Sequence, residues 1–147
     1  MYIIFNQVHH YLSWVVFLVA IYVIARSWVG VISKNAWTSA DSKGSLIFSI
    51  LADVQALIGI VLYVFLSPLT KVAFSDFGAA MKDSMLRFYA VEHILVMLIA
   101  LALIHIGKAK AKKAKTDASK HKFSAIFFTI AFILILSRIP WEKLLNF

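Results

Sequence analysis

The sequence predicts an all-α integral membrane protein, folded as a four-helix up-down-up-down bundle with both termini on the outer, periplasmic side. Three observations lead to this fold. The 147 residues are 62% hydrophobic, with a mean hydropathy of +0.86, which is more apolar than a soluble domain. Four segments are long and apolar enough to cross a bilayer. The basic residues cluster between these segments.

The four predicted spans form a single transmembrane domain over residues 1–147 and lie at about 3–32, 46–66, 86–106 and 123–139. None shows the period-two alternation of a membrane β-barrel. The stretch TSADSKG contains a candidate helix cap before the second span, and Ser67-Pro68 ends that span. The start of the chain lacks the basic region and cleavage site of a signal peptide, so the first span is expected to remain in the mature protein.

The net charge of +8 is unevenly distributed, since seven of the fifteen Lys and Arg residues lie in 108–122, predicted to be a loop. The first and third connections carry ten basic residues, whereas the second connection and the two tails carry five. This asymmetry predicts that the lysine-rich loop faces the cytoplasm of a bacterium and that the protein is multi-pass in the inner membrane. Membrane lipid is therefore the expected partner of the basic residues, and nucleic acid is not expected.

The chain contains no cysteine, which excludes disulfides, thiolate metal sites, iron–sulfur clusters and covalent haem attachment. No catalytic triad, phosphate-binding loop or zinc-protease motif occurs in the sequence. No catalytic residue can be named, and an electron-transfer protein or accessory subunit is favoured over a stand-alone enzyme.

The five histidines fall at two predicted depths in this topology. His9, His10 and His93 lie near the outer ends of the first and third spans, and His105 and His121 lie near the inner ends of the third and fourth. Two histidines at one depth on neighbouring helices can hold a haem iron between them. The alternative is that these histidines are interfacial residues without a ligand.

The helix faces distinguish the two adjacent histidines. Steps of three or four residues from His9 reach mostly small residues, whereas the same steps from His10 reach large, mostly aromatic ones; the two stripes are Ser13, Val16, Ala20, Ser27 and Trp14, Phe17, Ile21, Trp28. The third span has a matching stripe of Ala90, His93, Met97, Ala100 and Gly107. We therefore expect His9 and His93 to be the axial ligands of one haem b, with Ser13 and Met97 beside it and His10 facing outward.

Asp53 marks a candidate second site at the inner level, about 12 Å into the second span when counted from Ser45. An aspartate at this depth must be protonated, paired or hydrated, and its candidate partners are His105, His121, Arg26 and Lys43. With Gln55 nearby, it could form a proton or quinone site; the alternative is a buried pair that fixes helix packing. A second haem on His105 and His121 is less expected, because lysines flank His121.

The residues around these histidines resemble a family of small four-span membrane proteins of Gram-negative bacteria known as "cytochrome B". The matching segments cover most of the chain and are HHYLSWVV, VQALIGIVLYVFLSP, GAAMKDSMLRFYAVEHILVMLIALALIHIGKAKAKKA and SRIPW. The resemblance implies b-type haem and electron transfer, and it places His9 and His93 at family histidines. Ser13 replaces a basic residue of the family pattern, and Asp53 stands where the family often has a histidine.

Three functions follow as hypotheses. The first is a b-type haem protein that passes electrons between quinone and another membrane or periplasmic redox protein. The second is a non-catalytic accessory subunit of a larger membrane complex, since the chain has no soluble domain. The third is a small proton- or ion-coupled membrane protein that uses Asp53, although the lack of an internal repeat makes a transporter less expected.

Overall fold

The computed structural model describes residues 1–145, and within that range all regular structure is helical. Four helical spans, Tyr2–Ser33, Ser39–Leu66, Ser84–Lys113 and Asp117–Ser137, are each long and apolar enough to cross a membrane. The predictions of an all-α fold and of four candidate membrane spans are confirmed.

The spans are built from long helices joined by short ones. The first span is α1 (Tyr2–Ser33), and the second is α2 (Ser39–Val61) extended by a π-helical turn, Leu62–Leu66. Two short helices follow, α3 (Pro68–Ser75) and α4 (Phe77–Ala80). The third span combines α5 (Ser84–Arg87), a second π-helical turn (Phe88–Glu92) and α6 (His93–Lys113). The fourth span is α7 (Asp117–Ser137), which the short helix α8 (Trp141–Leu145) follows.

Small residues and two phenylalanines form the core of the bundle. Helix α1 packs on α2 and α7, and α6 packs on the same two helices. Ala20, Ala100 and Ala131 are almost fully buried, and small side chains let membrane helices approach closely. Phe48 and Phe128 fill the remaining space and meet edge to face at 5.3 Å. The buried stripe of α1 includes Val16, Ala20 and Ser27, as its sequence predicts.

The outer surface of the bundle is strongly apolar. Leu18, Leu57 and Ile133 are more than half exposed, and many other large apolar side chains of the four spans are exposed as well. A soluble protein rarely exposes so much continuous apolar surface. This surface is suited to contact with lipid chains.

The predicted ends of three helices are wrong, because N-terminal caps set two of them and helix-forming polar sequence extends the third beyond its apolar run. Helix α2 begins seven residues earlier than predicted, where Thr38 and Asp41 form a capping box. Most of 108–122, predicted to be a loop, is helical: α6 continues to Lys113, and α7 begins at Asp117 behind the cap residue Thr116. Alanine and lysine favour helix, so the helices continue through polar sequence.

Candidate functional site

A cavity of about 500 Å³ lies between α1, α2 and α6, at the end of the bundle where α3 and α8 pack. We call it the His9–His93 cavity. Four residues singled out in the sequence, His9, Ser13, His93 and Met97, line it together. Most of the remaining lining is apolar, with contributions from Ile104, Ile135, Ile139 and Leu144 among others.

The ring of His93 is held by the end of α7. Its Nδ1 lies 2.7 Å from the backbone carbonyl oxygen of Arg138. A carbonyl can only accept, so Nδ1 carries the proton and donates it, which leaves the lone pair on Nε2. Histidines that bind metals are commonly oriented in this way, with one nitrogen donating to a carbonyl and the other free to ligate. A π-helical turn directly precedes His93, a local geometry that is frequent at functional sites.

Helix α1 and helix α2 are tied together at the backbone of His9. The carbonyl oxygen of His9 accepts from Ser13 Oγ at 2.7 Å and from Gln55 Nε2 at 2.9 Å. The same Gln55 nitrogen donates to Ser13 Oγ at 2.7 Å. His9 Nδ1 and Gln55 Oε1 are among the buried side-chain atoms of the described residues that have no hydrogen-bond partner. Buried polar atoms are normally satisfied, so these two suit a site that receives a ligand.

Gly59 lets α2 lie against the ring of His9. A Cβ added at Gly59 would stand 3.1 Å from His9 Cε1 and 3.7 Å from His9 Nδ1. The first distance is shorter than an ordinary van der Waals contact. Because Gly59 has no side chain, the imidazole of His9 can pack closely on α2.

Glu92 anchors the segment next to His93. Its carboxylate accepts from Arg87 Nε at 2.9 Å, and its other oxygen lies 3.6 Å from Arg138 Nε. Arg138 thus contacts Glu92 through its side chain and His93 through its carbonyl. These contacts fix the start of α6 against the end of α7.

His10 also lines the His9–His93 cavity, whereas the stripe analysis expected it to face outward. Its ring meets that of Tyr11 edge to face at 5.2 Å. The side chains of neighbouring residues on a helix point about 100° apart, and a wide cavity can still be lined by both of them. The two adjacent histidines therefore share the cavity, although only His9 contacts Gly59 closely.

Of the four residues of the candidate second site, Asp53 and His105 lie together, whereas Gln55 and His121 lie elsewhere. Asp53 Oδ1 accepts from His105 Nε2 at 2.7 Å, so His105 is the partner of Asp53. Gln55 lies at the His9–His93 cavity instead, because two residues along a helix turn its side chain by about 200°. His121 is only 1% exposed and packs against the ring of Trp37 and against Gly30.

Sequence reasoning missed several residues of the cavity. Gly59, Tyr63, Tyr89 and Lys143 all line it, and Lys143 Nζ lies 4.4 Å from the centre of the Tyr89 ring. The small and polar residues at 52, 55, 56 and 59 share one face of α2, so the stripe analysis used for the first and third spans would have found Gln55 and Gly59. Nothing in the sequence indicates that Lys143 folds back over the cavity.

Comparison with known proteins found no matching family model, no matching curated protein and no matching solved structure. The resemblance to the "cytochrome B" family therefore stays a prediction. Within residues 1–145, no group of three or more His, Cys, Asp or Glu side chains is placed to hold a metal ion.

Proposed function

We propose that this chain is a b-type haem-binding membrane protein that takes part in electron transfer, with the haem held between α1 and α6 by His9 and His93. The supporting observation is that both histidines line one largely apolar cavity, where the contact of His93 Nδ1 with a carbonyl leaves the lone pair of the ring on Nε2. A bound haem would supply reversible one-electron chemistry at its iron.

The residues of the cavity suit this group. Its volume of about 500 Å³ lies within the usual range for cofactor and ligand sites, roughly 300–1,000 Å³. Ser13 and Met97 would lie beside the ring, and Gly59 leaves room for the His9 imidazole. Lys143 offers a positive charge on the lining, which would suit the carboxylates of a haem.

The charge distribution supports a bacterial inner-membrane location. The lysines that end α6 and begin α7 lie at one end of these helices, and the His9–His93 cavity lies at the other. With the lysines in the cytoplasm, the four spans run up-down-up-down, both termini are periplasmic, and the haem lies near the outer face. Electrons would then pass between the haem and quinone or a periplasmic or membrane redox protein.

The accessory-subunit hypothesis is compatible with this function, since a haem protein of this size needs electron partners. The ion-coupled hypothesis has less support. Asp53 lies on the surface of the bundle with about half of its side chain exposed, paired with His105, rather than at the His9–His93 cavity.

The test is an absorption spectrum of the full chain, produced with sufficient haem and purified in mild detergent. We expect a reduced-minus-oxidised difference spectrum typical of b-type haem in the natural sequence. His93→Ala should abolish it, and His105→Ala, which removes another histidine of the same helix, should retain it. Folded natural protein that binds no haem, or His93→Ala protein with an unchanged spectrum, would refute the proposal.

A further inference from the structure

Asp53 and His105 form a hydrogen-bonded pair on the exposed face of α2 and α6, within two of the four candidate membrane spans. Asp53 is fourteen residues beyond the start of the span Ser39–Leu66, or about 21 Å along it, which is close to its midpoint. The Asp53 Oδ1 to His105 Nε2 distance is 2.7 Å, and the two side chains are 48% and 47% exposed. The exposed part of each side chain faces outward from the bundle.

Apolar side chains flank the pair along both helices, and one turn away Lys108 of α6 donates from Nζ to Ser49 Oγ of α2 at 2.9 Å. Ile50, Val54 and Leu57 of α2 are exposed next to Asp53, and Leu98 and Ile106 of α6 are exposed near His105. Ionisable side chains within a bilayer almost always face a protein interior or a water-filled cavity, because contact with acyl chains is costly. A polar pair on a lipid-facing surface therefore indicates that another protein surface covers it.

The outer polar atoms of Asp53 and His105 are complementary to the same atoms of a second copy of the chain. With Oδ1 and Nε2 joined, the outer positions are Oδ2 of Asp53, an acceptor, and Nδ1 of His105, which donates when the imidazole is protonated. An acceptor beside a donor is self-complementary under a two-fold axis, since each copy then offers its donor to the acceptor of the other. A second copy would close a ring in which the two aspartates accept hydrogen bonds from the two imidazoles.

We propose that the α2–α6 face is a dimer interface, in which Asp53 and His105 of one copy meet His105 and Asp53 of a second copy. Interhelical hydrogen bonds and small residues are what hold membrane helices together. Ala102 and Ala109 are exposed on the same stripe of α6 as His105, at spacings of three and four residues. These alanines allow the α6 helices of two copies to approach closely.

Cross-linking of single cysteines tests this interface directly, because the natural chain has none. Ala102→Cys places a thiol beside His105 on the proposed two-fold axis. Ile130→Cys is the matched control, since Ile130 is 45% exposed on α7 and lies a similar number of residues from the connection between α6 and α7. In oxidised native membranes, Ala102→Cys should yield a covalent dimer of twice the chain mass, and Ile130→Cys should not.

Substitution of the pair tests its role. In detergent, Asp53→Ala in the otherwise natural chain should raise the dimer dissociation constant by about threefold or more, the effect of one interhelical hydrogen bond in a membrane. The exchange Asp53→His with His105→Asp keeps the donor beside the acceptor and should restore the natural dissociation constant. A natural chain that stays monomeric at all concentrations refutes the proposal. Equal cross-linking of the two cysteine variants, or a product formed only with a different protein, also refutes it.

Discussion

Replacement of Gly59 by alanine is expected to weaken haem binding without unfolding the bundle. The added Cβ would lie 3.1 Å from His9 Cε1, whereas ordinary van der Waals contacts begin at 3.4 Å, so the imidazole must move by about 0.3 Å. Metal–ligand distances are commonly held within about 0.2 Å, so this displacement is significant for an axial ligand. Loss of support around a metal ligand typically lowers metal affinity by about 10- to 100-fold, and we expect the lower end of that range.

Gly44→Ala is the matched control for this experiment. Gly44 lies on the same helix, and a Cβ there would also meet its nearest neighbour at 3.1 Å, but that neighbour is Val23 rather than His9. Alanine favours helix over glycine by about 0.5–1 kcal/mol, which offsets the tighter contact in both variants. Their free energies of unfolding should therefore be similar.

The assay is haem titration of each variant in detergent, followed by absorbance, with unfolding in sodium dodecyl sulfate measured in parallel. Gly59→Ala should bind haem about tenfold more weakly than the natural chain, and Gly44→Ala should bind it equally well. If Gly59→Ala retains natural affinity, or if Gly44→Ala loses as much, then His9 does not ligate the haem through a ring packed on Gly59.

Three further predictions concern the histidines and the helix start. His9→Ala should abolish the haem spectrum and His10→Ala should retain it, because only the His9 ring is packed on α2; the reverse result in purified variants would assign the ligand to His10. Gly30→Ala should destabilise the fold by about 1–3 kcal/mol, since its Cβ would overlap the buried ring of His121, and adding His121→Ala should recover at least ~1 kcal/mol of that loss. Additive unfolding energies would rule out that clash as the cause. Asp41→Ala should lower the free energy of unfolding by about 1–2 kcal/mol, because it removes the bonds from Thr38 N at 2.8 Å and from Arg26 Nε at 2.9 Å; an unchanged unfolding midpoint would count against this.

Hydropathy and helical periodicity predict the spans and many of the residues on their inner faces. Spans and inner faces are both properties of a single helix and can be read from its own sequence. Val16, Ala20 and Ala100 are buried as their stripes indicate. The ends of helices were less predictable from apolar runs, since Asp41 caps α2 well before its first apolar run and Lys113 still belongs to α6.

Contacts between helices were harder to predict than the faces of each helix. The sequence suggests four partners for Asp53 and cannot choose His105, because the relative rotation of α2 and α6 is a property of packing. Proximity in sequence suggests that Gln55 lies with Asp53, although the two side chains point to different sides of α2. The carbonyl of Arg138 beside His93 has no sequence signal at all.

The carbonyl of Arg138 has a consequence for the biogenesis of the protein. It is available to His93 because α7 ends at Ser137, three residues before Pro140. The first three spans can be inserted into the membrane before this segment has been translated, but His93 then lacks the acceptor that orients its ring. If His93 ligates a haem as proposed, haem loading is expected to follow synthesis of the last helix, whose end orients the His93 ring.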